Sequence, residues 1–451
     1  MTMSRSMLVL AVLGLAATGC GKNSTNPAGE ASRTSEVGNF GGAGPNGNDC
    51  DGLPVAPESD RVDLYQPVFT NPLNITNPLF PISILDRAVF LGTADGESFR
   101  SETTLLAGSK TIVINGEDVE TLVSQYVAFI DGRIEEVAYD WYAQDDLGAV
   151  WYLGEDVFNY DDGVVVDLNG TWLAGREGPA AMIMPANPQV GDVWRPENAC
   201  GIVFEEVIAT AINVTVDGPS GQVPGALMVS ELHMDATYEP KTFAPGYGEF
   251  STGFGANLEA LVVAISTDAL PGDAPEALDD LSDGADDIFT LAQSRRWSQV
   301  ADEFEAMEEA WEDLKLGGVP PGLEASMDDA LEALDDAIQS RNRSETRHAS
   351  LDVALSVTDL ELRYDDRSEI DGDLIDIWTR RVIVDAQARD RAGVVGDLAT
   401  IGIIRKRFAP ANSGRIDSDL ALMQQAVHST DPDEIVNHAE RLRGTLALAS
   451  Q

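Results

Sequence analysis

The chain has 451 residues, 43% of them hydrophobic, and carries 76 acidic against 29 basic side chains, a formal net charge of −47. A chain of this length predicts two domains. The negative charge argues against nucleic acid as a partner, because nucleic-acid binding needs a basic surface. A solvated acidic surface is the simplest interpretation of this charge. Calcium is the one cofactor that so many carboxylates could bind.

The N-terminus resembles the signal of a bacterial lipoprotein. Residues 1–19 contain a basic residue followed by an apolar run too short to span a bilayer, and residues 17–20 resemble a lipobox ending at Cys20. An ordinary secretory signal is the alternative. Gly21 follows the cysteine, and by resemblance to Gram-negative lipoproteins we expect a protein lipidated at Cys20 and anchored in the outer membrane.

Two further cysteines predict a disulfide. Residues 20–60 are rich in Gly, Asn, Ser and Pro, a composition typical of a flexible tether. With Cys20 acylated, Cys50 and Cys200 are the cysteines that remain, and an oxidising compartment favours their pairing. Such a bond would fix the end of the tether to the domain that follows.

Residues 61–268 predict an antiparallel β-domain. Asn115-Gly116 and Asp131-Gly132 separate runs of strand-forming residues, and such pairs favour type I′ hairpin turns. Eight to ten strands are expected, forming a meander that closes into a curved sheet or partial barrel.

A set of short motifs in this region resembles a family of uncharacterised bacterial secreted proteins and lipoproteins. The family resemblance implies no activity and no catalytic residue. The motifs that carry it are Asn77-Pro78-Leu79-Phe80-Pro81-Ile82, Asp140-Trp141-Tyr142-Ala143-Gln144-Asp145, Val150-Trp151-Tyr152-Leu153-Gly154-Glu155, Gly170-Thr171-Trp172, Ala174-Gly175, Met184-Pro185-Ala186 and Val190-Gly191-Asp192.

Aromatic residues at the centre of the β-domain are candidate ligand-binding residues. Trp141 and Tyr142 are adjacent, as are Trp151 and Tyr152. Because neighbours on a strand point to opposite faces, at least one member of each pair should lie in the core. The other could line a concave pocket for a small amphiphile, although core packing alone would account for all four.

Acidic residues beside these aromatics are candidate metal ligands. Asp140, Asp145, Glu155 and Asp156 could hold calcium, or could serve a carboxylate-based hydrolase centred on residues 139–162. Chance proximity in an acidic chain is the simpler explanation. The β-domain holds one histidine, His233, and no GxSxG motif, so a hydrolytic triad has little support.

Residues 269–274 form a linker, and residues 275–451 predict an all-α domain. Apolar residues recur there at helical spacing and mark about eight helices. A repeat about ninety residues long implies two four-helix units. This architecture resembles the imelysin-like doubled helical bundles, but their GxHxxE motif is absent here.

Histidines in the helical domain raise the alternative of a metal or haem carrier. Glu345 and His348 match the Glu-x-x-His spacing of di-iron bundles. Asn342 and Glu345, however, also fit the positions of a capping box, which is the simpler interpretation. His438 lies on an apolar helix face, where a core histidine is expected more often than a haem ligand.

The sequence therefore predicts an α+β multidomain protein, an antiparallel β-meander followed by two four-helix repeats. It favours a lipid-anchored extracytoplasmic binding protein over an enzyme. The β-domain would bind a small amphiphile or a protein partner, and the helical domain would act as an acidic docking or spacer module. The hydrolase and the metal or haem carrier remain the alternatives.

Overall fold

The structure is a computed structural model of the chain. It describes residues 10–11, 14–15, 50, 52–254, 257–265, 270, 272–365, 367–410, 413–427 and 431–448. Cys20 and most of the tether lie outside the described residues.

The strands of the described chain are numbered in chain order. Their bounds are β1 (Leu10–Ala11), β2 (Gly14–Leu15), β3 (Arg87–Ala94), β4 (Glu97–Ile114), β5 (Glu117–Ile130), β6 (Arg133–Gln144), β7 (Val150–Asp161), β8 (Val164–Asp167), β9 (Trp172–Leu173), β10 (Ala181–Met184), β11 (Val193–Ala199), β12 (Val203–Gly218), β13 (Gly221–His233), β14 (Tyr238–Ala244), β15 (Gly248–Phe254) and β16 (Asn257–Ile265). β1 pairs only with β2.

All strands from β3 onward belong to one antiparallel sheet of 14 strands. Its order is β10-β7-β6-β5-β4-β3-β16-β15-β14-β13-β12-β11, with β8 and β9 added beside β7. The sheet is open, but it curls until its two ends are close, and the Trp194 indole on β11 donates a hydrogen bond to the Ile183 carbonyl on β10 at 3.2 Å. The prediction of a curved antiparallel sheet is confirmed, although eight to ten strands was too few.

Hairpin turns form where the dipeptides predicted them. Asn115 and Gly116 have φ of 54° and 86°, and Asp131 and Gly132 have φ of 47° and 69°. These left-handed values suit the type I′ turn, whose twist matches that of the flanking strands. Long strands therefore run up to each turn, β4 and β5 on either side of the first and β5 and β6 around the second.

The helices of the described chain are likewise numbered in order. A 3₁₀ turn covers Glu58–Asp60, and the α-helices are α1 (Ile82–Leu85), α2 (Glu276–Gln293), α3 (Trp297–Leu316), α4 (Pro321–Ser340), α5 (Arg343–Glu361), α6 (Arg367–Ala388), α7 (Arg391–Arg407), α8 (Ser413–Ala426) and α9 (Pro432–Leu446). α2 packs on α5 and α6 packs on α9, so α2 to α5 and α6 to α9 form the two predicted four-helix units.

The two faces of the curved sheet have different neighbours. Phe90, Tyr126 and Ala138 point into the concave side, called here the inner face, and pack together there. Val127 and Val137 alternate with them on the outer face and share a core with the helices. Because strand neighbours point to opposite sides, one stretch of sequence contributes to both cores.

A buried network of charges joins the helices to the outer face of the sheet. Arg407 on α7 is 2.7 Å from Glu102 on β4 and 2.9 Å from Asp371 on α6. Arg87 on β3 also pairs with Asp371, and Arg100 on β4 pairs with Asp359 on α5. Charges buried this way need partners, because an unpaired ion in the interior is costly. The helical units are thus bound to the sheet through complementary charges.

The Cys50–Cys200 disulfide is present, with a Cα–Cα distance of 5.5 Å. This confirms the pairing predicted from the sequence. Cys200 directly follows β11, so the bond holds Cys50 at one edge of the sheet.

Candidate functional site

A ligand-sized groove lies on the outer face of the sheet, on strands that also carry the predicted aromatics. It has a volume of about 390 Å³ and is called here the outer groove. This volume falls within the roughly 300–1,000 Å³ range of small-molecule sites. Its walls are formed by Arg61, Asp63, Leu64, Tyr65, Gln66, Pro67, Phe69, Ile114, Asn115, Glu117, Val119, Trp151, Gly175, Pro179, Ala180, Ala181, Arg195 and Asn198.

Two arginines stand at one side of the outer groove, and carboxylates hold both. Arg61 binds Asp63 through two hydrogen bonds of 2.9 and 2.7 Å. Arg195 donates to Glu206 at 3.0 Å and to the Asn198 side chain at 3.2 Å. Paired contacts of this kind fix the plane of a guanidinium, so both cations are positioned in advance of any ligand.

The aromatic wall of the outer groove is built around Asp145. Its carboxylate accepts hydrogen bonds from the Trp151 indole at 2.9 Å and from the Tyr65 hydroxyl at 2.5 Å. The two rings meet edge to face, with centroids 5.5 Å apart. Burial raises the pKa of Tyr65, and the adjacent Asp145 raises it further. Asp145 also accepts from the backbone of Leu147 and Ala149, so its role is to hold a turn and two rings.

A second group of polar residues lies on the inner face, and it is called here the inner carboxyl cluster. Its members come from β6, β7, β11, β12 and β13, and each is no more than 1% exposed. They are Glu136, Asp140, Glu155, Glu197, Glu205 and Glu231. Lys241 on β14, 2% exposed, lies beside them, with its ammonium 2.8 Å from Glu231.

Burial makes most of this cluster hold its protons at neutral pH. It raises the pKa of Asp140 to about 7 and that of Glu197 to about 8. The pKa of Glu155 is raised well above its usual range, first by burial and then by the facing carboxyl of Glu197. Burial alone would also raise the pKa of Glu231, but the Lys241 ammonium outweighs it and lowers the pKa. At neutral pH the cluster therefore holds several protonated acids, a partly ionised Asp140 and one ion pair, Glu231 with Lys241.

The four predicted metal ligands are divided among three places. Asp140 and Glu155 are cross-strand neighbours in the inner carboxyl cluster. Asp156 points to the outer face, where it lies 3.6 Å from Lys110, and Asp145 holds the aromatic wall. Within the described residues, no group of three or more His, Cys, Asp or Glu side chains has a metal-binding arrangement.

The four predicted aromatics divide between the two faces. The rings of Tyr142 and Tyr152 stack on the inner face with centroids 4.9 Å apart, and the Tyr152 hydroxyl donates to Asp140 at 2.9 Å. Trp141 lies on the outer face beneath the Lys110 ammonium, 3.1 Å from its ring centre. Trp151 lines the outer groove. All four are at most 4% exposed, so each is also a core residue.

Two of the described histidines lie beside carboxylates, whereas Nδ1 of His438 on α9 is buried and has no hydrogen-bond partner among the described residues. His233 lies 3.7 Å from both Glu205 and Glu239. His348 is 2.8 Å from Asp385. Asn342 accepts hydrogen bonds from the backbone of Ser344 and Glu345, which confirms the predicted helix cap on α5.

Sequence reasoning missed most of the inner carboxyl cluster and both groove arginines. A signal for part of the cluster exists in β13, where Glu231 and His233 occupy alternate positions of a strand that also carries buried apolar residues. No comparable local signal marks Arg61 and Arg195, which lie 134 positions apart (195 − 61).

Comparisons with known proteins leave the chain without a family assignment: no family model matches it, and no curated protein matches it significantly. The described helices include none that is long and apolar enough to cross a membrane.

Proposed function

We propose that this is a lipid-anchored, extracytoplasmic binding protein whose β-domain holds a small amphiphile in the outer groove. The observation that carries the proposal is the composition of the groove. One ligand-sized cavity combines an aromatic and aliphatic wall, including Trp151 and Phe69, with two pre-positioned arginines. Pockets of this kind bury an apolar body and orient it by a few polar contacts.

The arginines indicate the chemistry of the head group. Guanidinium groups bind planar oxyanions such as carboxylate and phosphate through paired hydrogen bonds. An amphiphile would therefore place an anionic head near Arg61 and Arg195 and its chain against Trp151. The net charge of −47 opposes this anion only weakly at physiological salt, because charges more than about 8 Å away are screened.

The position of the groove supports a membrane-derived ligand. Asn198 lines the groove two residues before Cys200, whose disulfide to Cys50 holds the end of the proposed tether. A tether of about 30 residues, which the composition between Cys20 and Cys50 predicts, would have a root-mean-square span of roughly 30 Å. The groove would then lie close to the outer-membrane surface from which an amphiphile could be taken up.

The geometry supports the two alternative functions, a hydrolase and a metal or haem carrier, less well. A hydrolase would have to use Asp140 and Glu155 alone, since Asp145 and Asp156 lie elsewhere. A metal or haem carrier would use histidines such as His348, which is paired with Asp385. The acidic helical units are bound to the sheet along one side. Their exposed faces remain available for the proposed role as a docking module.

The proposal is tested by adding decanoate and decyl phosphate to the purified full chain and measuring binding by native mass spectrometry. We expect one bound molecule with micromolar affinity. Ala180→Phe should fill the groove and Arg61→Gln should remove one head-group contact, each weakening binding at least tenfold. Arg176→Gln is the matched control, because Arg176 is 61% exposed and pairs with its neighbour Glu177. Binding that neither groove variant alters, or no binding at millimolar concentration, would exclude the outer groove.

A further inference from the structure

A second cavity opens on the inner face, away from the outer groove. It has a volume of about 50 Å³ and is called here the inner pocket. Phe80, Leu85 and Phe90 form its apolar mouth, and the carboxyl groups of Asp140 and Glu249 also line it. The pocket is open to solvent, so this volume is enough for the ammonium end of a short alkyl chain, whose remaining carbons would lie along the apolar mouth.

The two carboxyls in the inner pocket are each held by one hydroxyl. The Tyr152 hydroxyl donates to Oδ1 of Asp140 at 2.9 Å, and the Thr252 hydroxyl donates to Oε1 of Glu249 at 2.5 Å. Each contact fixes the carboxyl and leaves a second oxygen as an acceptor. The polar end of the pocket is therefore rich in acceptors and presented at the base of an apolar channel.

Behind Asp140, the inner carboxyl cluster has acceptors without donors. Both carboxyl oxygens of Glu136 are buried and receive no hydrogen bond from the described residues, while Glu155 and Glu197 are hydrogen-bonded to each other through a shared proton and to no other donor there. A buried acceptor without a donor destabilises the fold, and native proteins contain few of them. Shared protons relieve part of this cost, but the surplus of acceptors remains.

A buried hydroxyl beside Asp140 also lacks a hydrogen-bond partner. Ser124 is opposite Asp140 in the register between β5 and β6, so its hydroxyl is on the inner face beside that carboxyl. The hydroxyl is fully buried and has no hydrogen-bond partner among the described residues. Ser124 does not line the pocket itself, but its unpartnered hydroxyl shows that the buried polar groups around Asp140 do not fully satisfy one another.

We propose that the inner pocket is a second ligand site, and that it binds a short alkylammonium ion. The ammonium group would face Asp140 and Glu249, and the alkyl chain would lie between Phe80, Leu85 and Phe90. An ammonium brings three donors and a positive charge, which are the two properties that this end of the pocket lacks. The site is independent of the outer groove and does not rest on the function proposed for it.

The charge of the pocket predicts how binding changes with pH. Burial raises the pKa of Asp140 to about 7 and raises that of Glu249, while an alkylamine stays protonated to about pH 10. An ammonium should therefore bind more tightly as the pH rises from 6 to 8 and Asp140 ionises. The groups on the surrounding strands that bear on this titration are Glu136, Tyr142, Tyr152, Glu155, Glu197, Lys241 and Glu249.

The test is isothermal titration calorimetry of the full chain with n-butylamine, n-butanol and butyrate at pH 6 and pH 8. We expect butylamine to bind at least tenfold more tightly than butanol at pH 8, several-fold more weakly at pH 6, and butyrate not to bind. Asp140→Asn and Glu249→Gln should each reduce butylamine affinity at least fivefold while leaving the weak binding of butanol unchanged.

Asp156→Asn is the matched control, because Asp156 is adjacent to Glu155 on the same strand but points to the outer face. It should leave butylamine affinity unaltered. Glu249 is only partly buried, so its glutamine variant remains informative if Asp140→Asn fails to fold. Equal affinities for butylamine and butanol, or butylamine affinity unaffected by Glu249→Gln, would overturn the proposal. So would displacement of butylamine by calcium at equal concentration, which would make the pocket an inorganic cation site.

Discussion

At the scale of single residues, the main feature is a core that contains acids. Glu155 and Glu197 face each other across the curl of the sheet and are hydrogen-bonded to each other, and no other donor group of the described chain reaches either carboxyl. Two facing carboxyls avoid repulsion when a proton lies between them. The contribution of this pair to the stability of the fold therefore falls as the pH rises, whereas the contribution of a salt-bridged acid increases.

The Glu197 carboxyl gives this dependence a sign and a range. Its pKa rises from 4.5 to about 8 on folding, so between these values the folded chain holds a proton that the unfolded chain has lost. Its contribution to stability is complete below about pH 4.5 and is lost as the pH rises towards 8. We expect Glu197→Gln to raise the free energy of unfolding at pH 8 by about 1–3 kcal/mol and to have little effect at pH 5.

Urea unfolding at the two pH values measures this change, with Glu332→Gln, an exposed glutamate on α4, as the control. A variant that is destabilised at pH 8 would show that Glu197 acts as an ionised partner.

At the scale of elements, the contact between α7 and the sheet decides how the two parts of the molecule are joined. Arg407 lies at the last residue of α7 and reaches Glu102, Asp371 and the Thr104 hydroxyl. Burial alone would raise the pKa of Glu102, but Arg407 and then Arg100 outweigh it and hold that pKa far below its usual range. A close backbone approach accompanies these ion pairs, because a Cβ on Gly163 would lie 2.2 Å from the backbone nitrogen of Gly396 on α7.

Arg407→Met should destabilise the protein strongly. The substitution leaves Glu102 and Asp371 buried with fewer positive partners, and breaking a buried pair in this way costs about 3–5 kcal/mol. Arg176→Met is the comparison, since an exposed pair such as Arg176 with Glu177 contributes roughly 0–1 kcal/mol. Chemical unfolding followed by circular dichroism measures both. Equal effects of the two substitutions would contradict a role for Arg407 in joining α7 to the sheet.

At the scale of the whole molecule, the disulfide holds the segment around Cys50 at one edge of the sheet. Cys50 and Cys200 are separated by 150 residues, and the closed loop includes β3 to β11. Nearby, the Ala56 amide donates to Glu206 at 2.6 Å, and that carboxylate also holds Arg195 of the outer groove. The bond thus supports the groove as well as the fold.

Replacing both Cys50 and Cys200 by serine should lower the free energy of unfolding by about 2–5 kcal/mol, because the unfolded chain gains the freedom of a long loop. The double variant should also bind decanoate less tightly, since Arg195 lies close to the bond. Urea unfolding with and without reductant measures the first effect, and the reduced native chain should match the variant. Alkylation of both cysteines in the unreduced protein would contradict the assignment.

The sequence by itself determined the local structure and the chain-wide pairing of two cysteines. Asn115-Gly116 and Asp131-Gly132 required left-handed turns, and Asn342 marked the start of α5, because these signals depend on neighbouring residues alone. Apolar spacing was sufficient to place all eight helices from α2 to α9 within the described chain.

Only the tertiary structure decided which residues meet. Glu136, Glu197 and Glu231 come from three strands and converge because the sheet curls and places their side chains on its concave face. Whether Trp151 or Tyr152 faced inward depended on a bulge at Gly154, whose φ is 123°. Register, curvature and the docking of helices on the outer face arise from contacts between distant segments, and composition or local periodicity does not encode them.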